Sequence, residues 1–206
     1  MRLDWPGCTN ARDVGGLPTV DGSRIRAGAL LRSDHHFRLA PASVRAIRGE
    51  VSRIIDLRWA RECAAEPSPF AGDPIYRHIP MYGDVLDYEI RPDTYGPMLD
   101  HNKPGIAAAF IAVAEAAPGG VVVHCHAGRD RTGALVALAL TVAGVGAEAI
   151  AGDYSLSADT TAVTMLNTLA HTDRRYGSTP PYLRSLGVRQ HQIDAVRARL
   201  RPPVPG

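Results

Sequence analysis

Several features that mark secreted, membrane-spanning or nucleic-acid-binding proteins are scarce in this sequence. Its 206 residues include only three cysteines, Cys8, Cys63 and Cys125, a number that fits a reducing compartment. The net charge is only +2 and the arginines are scattered, so neither a nucleic-acid footprint nor a polybasic membrane anchor is present. The longest strongly apolar run, residues 134–143, is well short of a membrane span, and the amino terminus lacks a signal pattern. We therefore expect a soluble, cytoplasmic protein, with leaderless export as an alternative.

The chain has the size of one ordinary domain. With 206 residues and 45% apolar content, it is long enough for one good core and too short for two ordinary domains. No internal repeat is present, and low complexity is confined to a proline-rich segment at the carboxyl end. We expect a single domain over residues 1–201, followed by a tail at 202–206.

The apolar pattern predicts an α/β fold with a central, mostly parallel, twisted sheet flanked by helices. A β-hairpin at residues 17–25 is expected to form an antiparallel edge, and the carboxyl-terminal part is expected to be helical. Strands are predicted at 30–33, 53–57, 75–79 and 121–123. Helices are predicted at 41–48, 104–117, 134–143, 147–155, 159–170, 180–186 and 189–200.

The most informative segment is the loop at residues 124–133, which places Cys125 and Arg131 six positions apart. The β-branched run before it, 121–123, predicts a buried strand, and the apolar run 134–143 predicts a helix buried on every side. The loop therefore joins the carboxyl end of a strand to the amino end of a helix, which is where open α/β sheets bind ligands. Backbone amides and the helix dipole would point at an anion there.

This spacing of a cysteine and an arginine favours phosphate chemistry. At a helix amino terminus beside an arginine, Cys125 is expected to be a thiolate and a ready nucleophile. The guanidinium of Arg131 matches two phosphate oxygens, Gly128 lets the backbone approach them, and Thr132 offers its hydroxyl to the thiolate. The reaction implied is two-step hydrolysis through a cysteinyl-phosphate, without a metal or other cofactor. The residues expected to bind the phosphoryl group are His126, Ala127, Gly128, Arg129, Asp130 and Arg131.

The loop resembles the signature of the protein tyrosine phosphatases. Its ending, residues 130–133 preceded by Arg129, is most similar to the bacterial tyrosine/phosphoinositide phosphatase branch, whose members commonly carry lysine at that basic position. Residues 10–16, 54–58 and 153–157 resemble other blocks of the branch, so the resemblance spans nearly the whole chain. It implies a sheet of the cysteine-phosphatase type, a phosphorylated protein or a phosphoinositide as the substrate, and phosphate or vanadate as a ligand.

The resemblance also maps the general acid, which protonates the leaving oxygen, onto Asp130. Other phosphatases take this acid from a separate upstream loop, and a stretch without clear periodicity offers three alternatives here: Asp84, Asp87 and Asp93. A third interpretation leaves Asp130 as a carboxylate that only pairs with Arg129 or Arg131. A general acid must first reach the leaving oxygen, so geometry comes before pKa in the choice among them.

Four residues are expected to support the site: His124, Thr132, Asp56 and Arg58. His124, at the end of a buried strand, is expected to hydrogen-bond the loop backbone and steady the cysteine. Asp56 and Arg58 end another parallel strand and should emerge at the same edge of the sheet. Arg58 either touches the substrate or forms an ion pair with Asp13 or Glu62.

The remaining histidines near these strands are not expected to bind a metal. His35 and His36 follow the strand at 30–33 and are expected to lie in a solvated turn. A zinc site at His124, Cys125 and His126 fails on spacing, because adjacent ligands need partners in Cys-x2-Cys or His-x3-His form, and no such pair occurs in the sequence.

The leading hypothesis is a metal-independent phosphomonoesterase for phosphotyrosine, and also for phosphoserine/threonine or phosphoinositides. Arg129 beside the site favours a multiply anionic head group, unless it pairs with Asp130 and leaves phosphotyrosine as the best substrate. One alternative is a sulfurtransferase that forms a persulfide on Cys125. The other is a phosphate-binding module without turnover, but such a module has no need of a cysteine, an arginine and an acid together.

Overall fold

The computed structural model describes residues 1–83 and 85–202. Asp84, one of the alternative acids, and residues 203–206 of the predicted tail lie outside the described residues. Within the described ranges, no helix combines the length and the apolar character needed to span a bilayer.

A five-stranded sheet forms the centre of the protein. Its strands in chain order are β1 (Arg12–Asp13), β2 (Leu30–Ser33), β3 (Val51–Asp56), β4 (Tyr76–His78) and β5 (Gly120–His124). Their order across the sheet is β1-β2-β5-β3-β4, and only the β1–β2 pair is antiparallel. The predicted α/β fold with a mostly parallel sheet is therefore confirmed.

Helices cover both faces of this sheet. In the described residues they are α1 (Pro41–Glu50), α2 (Ala60–Ala65), α3 (Gly96–His101), α4 (Lys103–Ala114), α5 (Asp130–Val142), α6 (Ala147–Tyr154), α7 (Ala162–Tyr176), α8 (Thr179–Ser185) and α9 (Gln190–Leu200). Val121 and Val123 of β5 pack into the larger core cluster, which includes α4, α5 and α9. Val122 faces the opposite cluster, with Ile47 of α1. Because side chains alternate along a strand, a continuously apolar β5 supplies both cores.

The structure departs from the predicted elements where the segments are short. The six-residue helices α2 and α3 lie in stretches without clear apolar periodicity, where so few residues give little signal. α4 ends at Ala114, so the prediction that Ala117 belongs to it is wrong, and Ala117 is exposed. The predicted hairpin at 17–25 contains one antiparallel bridge, between Pro18 and Arg24. It does not form the antiparallel edge of the sheet, which is formed by β1 instead.

Candidate active site

The loop that carries Cys125 and Arg131 leaves β5 at His124 and enters α5 at Asp130. We call residues 125–131 the phosphate loop. Its tightest point is Gly128, which has a φ of +69°. A Cβ atom there would lie 2.4 Å from the carbonyl oxygen of Ser33 in β2. Glycine is required because the backbone conformation and the close approach of β2 both exclude a side chain.

Side chains from the amino-terminal part of the chain hold the backbone of the phosphate loop. Asn10 Nδ2 donates to the carbonyl oxygens of Ala127 and Gly128 at 3.0 and 3.3 Å. Arg32 Nη2 donates to the Gly128 oxygen at 2.8 Å. These bonds engage the Ala127 and Gly128 carbonyl oxygens with side chains from outside the loop and so fix the loop backbone.

Arg32 also belongs to a buried charge network that is absent from the sequence-based predictions. The Asp153 carboxylate at the end of α6 lies 2.9 Å from Arg12 Nε and 2.7 Å from Arg32 Nη1. Burial opposes the ionisation of Asp153, but the charges of Arg32 and Arg12 outweigh it and lower the pKa of Asp153. A signal was available, because Arg32 follows two leucines in a predicted strand, and an arginine that is buried needs a partner.

Cys125 lies at the base of the loop with 2% of its surface exposed. The ring of the preceding His124 is fully buried, and its Nδ1 lies 3.2 Å from the Cys125 carbonyl oxygen. His124 Nε2 is 3.5 Å from the Asp56 carboxylate. Oγ1 of Thr132 is also buried, without a hydrogen-bond partner among the described residues.

His36 is not solvated, so that prediction is wrong for this residue. It is fully buried and stacks on His124, with ring centroids 4.0 Å apart, and its Nε2 lies 2.8 Å from Ser33 Oγ. Burial lowers the pKa of both rings, which keeps them neutral at physiological pH. This stacking could not be predicted because His36, in the turn after β2, and His124, at the end of β5, are far apart in the chain.

Arg131 is held by Glu62, which the sequence offered only as one possible partner of Arg58. Its Nη1 and Nη2 donate to the two Glu62 carboxylate oxygens at 2.6 and 3.0 Å. The Trp59 and Tyr82 rings each lie 5.2 Å from its guanidinium carbon. Burial opposes the charge of Arg131, but the Glu62 carboxylate outweighs it and raises the pKa of Arg131. The guanidinium is thus charged and held in place by Glu62.

Arg58 forms an ion pair, but neither predicted partner is correct. Its guanidinium donates to both Asp56 carboxylate oxygens at 2.7 to 3.1 Å, and its Nη1 donates to the Glu66 carbonyl oxygen. Asp13 instead accepts backbone amides of residues 15 and 28, while Glu62 holds Arg131. Arg58 has no exposed surface, which places it beneath the site rather than against a ligand.

Asp130 contacts a tyrosine rather than an arginine. Tyr95 Oη donates to Asp130 Oδ1 and lies 2.5 Å from Tyr154 Oη. Arg129 turns the other way, with its Nη1 3.2 Å from Asp159. The alternative in which Asp130 only pairs with Arg129 or Arg131 is therefore wrong.

The upstream aspartates that the structure describes are engaged with their own neighbours. Asp87 lies 3.1 Å from His101, and Asp93 lies 3.0 Å from Arg91, both at exposed positions. The structure thus brings Asp130 into the phosphate loop as its first helical residue, and leaves Asp87 and Asp93 at the surface.

Two cavities flank the phosphate loop. One, of about 220 Å³, is lined by Asp130, Arg131 and a set of aromatic and apolar side chains that includes Trp59, Tyr82, Tyr88, Tyr95 and Ile90. The other, of about 530 Å³, is lined mainly by polar groups, among them Arg2, Asn10, His35, His126 and Arg129. A ligand on the loop would therefore meet aromatic walls on one side and polar groups on the other.

With this geometry in place, the comparisons with known proteins agree on one class. Residues 3–163 match the model of the tyrosine phosphatase family, so the chain belongs to that family. It is 28% identical over 228 residues to a tyrosine-protein phosphatase of Nostoc commune, covering 89% of this chain and 78% of that protein. It is 27% identical over 194 residues to the triple specificity protein phosphatase PtpB of Mycobacterium tuberculosis, covering 76% and 69% of the two chains. Family and relatives together support phosphatase activity.

Proposed function

We propose that the protein hydrolyses phosphotyrosine through a cysteinyl-phosphate intermediate. The observation that carries this proposal is the placement of Cys125 and Arg131 in one tight loop between β5 and α5. Cys125 Sγ attacks phosphorus as the bond to the leaving oxygen breaks, and Asp130 gives its proton to that oxygen. In the second step water attacks phosphorus, Asp130 takes the water proton, and the S–P bond breaks to release phosphate and the thiolate.

The loop amides of residues 126–131 and the guanidinium of Arg131 stabilise the charge on the phosphoryl oxygens. Because both Nη atoms of Arg131 donate to the Glu62 carboxylate, the guanidinium needs little reorganisation when the phosphate binds. Tyr95 orients the Asp130 carboxyl group toward the aromatic cavity, where the leaving group would sit. No step of this scheme uses a metal.

The aromatic cavity favours a phenolic leaving group. Its walls of Trp59, Tyr82, Tyr88 and Tyr95 suit the flat face of a phosphotyrosine ring, and Asp130 and Arg131 line the same cavity. The names of the relatives, a tyrosine-protein phosphatase and a triple specificity phosphatase, support the same substrate and leave room for phosphoserine and phosphothreonine.

The phosphoinositide candidate depends on the polar cavity. Arg129 lines it and pairs with Asp159, whose side chain is 87% exposed, so a head-group phosphate can replace that carboxylate at little cost. This arrangement supports placing the chain in the tyrosine/phosphoinositide branch.

The larger core cluster, which runs from Val14 to Leu200, also supports the proposal of one domain over residues 1–201.

The first experiment measures hydrolysis of an aryl phosphate at about pH 6 in the presence of a chelator. We expect turnover that vanadate blocks and that falls by at least about 10³-fold in Cys125→Ser. Cys63→Ser is the matched control and should keep wild-type turnover. Turnover retained in Cys125→Ser would refute the mechanism. Binding of phosphate without turnover would favour the binding module, and thiosulfate turnover without aryl-phosphate turnover would favour the sulfurtransferase.

A second experiment compares phosphotyrosine peptides with phosphoinositides in wild type and Arg129→Ala. If the polar cavity selects a multiply phosphorylated head group, Arg129→Ala loses phosphoinositide turnover alone. Equal loss on both substrates would contradict that role and leave phosphotyrosine as the substrate.

A further inference from the structure

Three groups that can bind a metal meet at the rim of the phosphate loop. They are His35 in the turn after β2, Glu66 just after α2, and His126 in the loop itself. One ligand atom from each lies within 4.8 Å of the other two. His126 Nε2 and Glu66 Oε2 are only 3.3 Å apart. None of these three side chains has a part in the proposed transfer of the phosphoryl group.

Backbone hydrogen bonds anchor the segments that carry all three ligands. The His35 amide donates to the His126 carbonyl oxygen at 2.9 Å, which ties the turn after β2 to the loop. The two rings meet edge to face, with centroids 5.0 Å apart. The Glu66 carbonyl oxygen accepts Nη1 of the buried Arg58 at 2.8 Å, so the end of α2 is anchored beside them.

The donor set and its spacing fit zinc. Tetrahedral zinc with bonds of about 2.0–2.1 Å places neighbouring ligand atoms about 3.4 Å apart. The His126–Glu66 pair already has this separation, and the side chains of this pair are 48% and 33% exposed. The two distances to His35 are at most 4.8 Å, so closing them takes shifts of at most about 1.4 Å. Two imidazoles and one carboxylate suit zinc and its transition-metal neighbours, whereas magnesium and calcium prefer oxygen ligands alone.

The ring of His35 has unused binding capacity. Its Nδ1 is buried and has no hydrogen-bond partner in the described part of the chain. A buried polar atom without a partner is costly, and a nearby ligand would offset that cost. Ligand spacing in the sequence argues against zinc only at neighbouring residues, whereas these three come from segments that are far apart in the chain.

We propose that His35, Glu66 and His126 bind one Zn²⁺ ion and that its occupancy lowers phosphatase turnover. The ion would hold the ring of His126, whose own amide belongs to the phosphate cradle, and so restrict the loop. Its open fourth position and its positive charge would also draw phosphate oxygens away from Arg131. Metal binding stands independently of the proposed function, whereas the inhibition rests on it.

The test titrates the full-length protein with Zn²⁺ by calorimetry and with Co²⁺ by visible absorption. We expect one ion per chain, and affinity at least about 10-fold lower in both His35→Ala and Glu66→Gln, since even loss of an outer-shell partner costs that much. Cys125→Ser should bind zinc like the wild type. His191→Ala, which removes an exposed histidine of α9, is the control for nonspecific binding.

Unchanged zinc affinity in both His35→Ala and Glu66→Gln would overturn the site, and loss of binding in Cys125→Ser would show that the thiolate is the ligand instead. Thermal unfolding confirms that the variants are folded. The zinc concentration for half-inhibition of aryl-phosphate turnover should rise in step with the weaker binding. Inhibition that persists unchanged after binding is lost would refute the inhibitory role. If the wild type has no turnover, the titrations still decide the metal site.

Discussion

The two sides of the phosphate loop differ in what they offer a ligand and in how they are built. On the aromatic side, the side chains of Asp130 and Arg131 point into the cavity and are held by Tyr95 and Glu62. On the polar side, Asn10 holds the loop by its backbone carbonyl groups. The aromatic side therefore controls the reacting groups, whereas the polar side controls the shape of the loop. Substitutions on the two sides should consequently affect different measurements.

The largest effect is expected from Asp153→Asn, which weakens the support of the loop. Replacing this carboxylate leaves Arg12 and Arg32 buried without a full negative partner, and breaking such a pair costs about 3–5 kcal/mol. Urea unfolding should show this loss of stability. Asp194→Asn is the matched control, because its half-exposed pair with Arg197 is worth less than about 1 kcal/mol. Equal small losses in both variants would contradict a structural role for the network.

The same network predicts a pH dependence of stability. The pKa of Asp153 is lower in the folded protein than its ordinary value of about 3.9. Its contribution to the free energy of unfolding is therefore complete above that value and is lost as the pH falls through the lower, folded-state pKa. Asp153→Asn should make the fall in stability below about pH 4 less steep. If the free energy of unfolding falls equally steeply with decreasing pH in both proteins, other carboxylates determine the stability at acid pH.

A loss of activity with little loss of stability is expected from Glu62→Gln on the aromatic side. Without the second carboxylate oxygen, the guanidinium of Arg131 is no longer fixed in one plane, and a misplacement of about 1 Å can cost about 100-fold in kcat/KM. Glu148→Gln on the exposed surface of α6 should keep wild-type kcat/KM. Equal kcat/KM values in Glu62→Gln and Glu148→Gln would show that the position of Arg131 does not depend on Glu62.

Tyr95→Phe should have a smaller and more selective effect. Removing the hydroxyl frees the Asp130 carboxyl group, so we expect kcat to fall about 10-fold for substrates with poor leaving groups, and less for activated aryl phosphates. Tyr176→Phe removes a similar tyrosine–aspartate contact, to Asp100, outside the site and should leave kcat unchanged. The same fall on both kinds of leaving group would show that Tyr95 does not act through proton transfer.

The contrast between local and long-range features decides what could be predicted from the sequence. The phosphate loop, β5 and α5 are contiguous, and their apolar runs lie directly beside the cysteine and arginine, so their arrangement could be predicted. β1 has two residues, too few for an alternating pattern to be visible. α2 and α3 are hardly longer than one turn and a half.

The supporting contacts could not be predicted in this way because they join distant segments. Glu62 reaches Arg131 across 69 positions, and Tyr95 reaches Asp130 across 35. A pattern read within a short window carries no information on such pairs. Arg58 is the opposite case, because its partner Asp56 is only two residues away. Here the local course of the backbone decides which carboxylate the guanidinium meets, and the sequence pattern does not show that course.

The charge network around Asp153 also has a consequence for the order in which the protein can be assembled during synthesis. Asp153 pairs with Arg12 and Arg32, which precede it by 141 and 121 residues. A nascent chain that has left the ribosome only as far as the phosphate loop holds the nucleophile, but not the carboxylate that neutralises the two arginines behind it. The loop therefore gains its full support only after α6 has emerged, and a truncated product would not retain it.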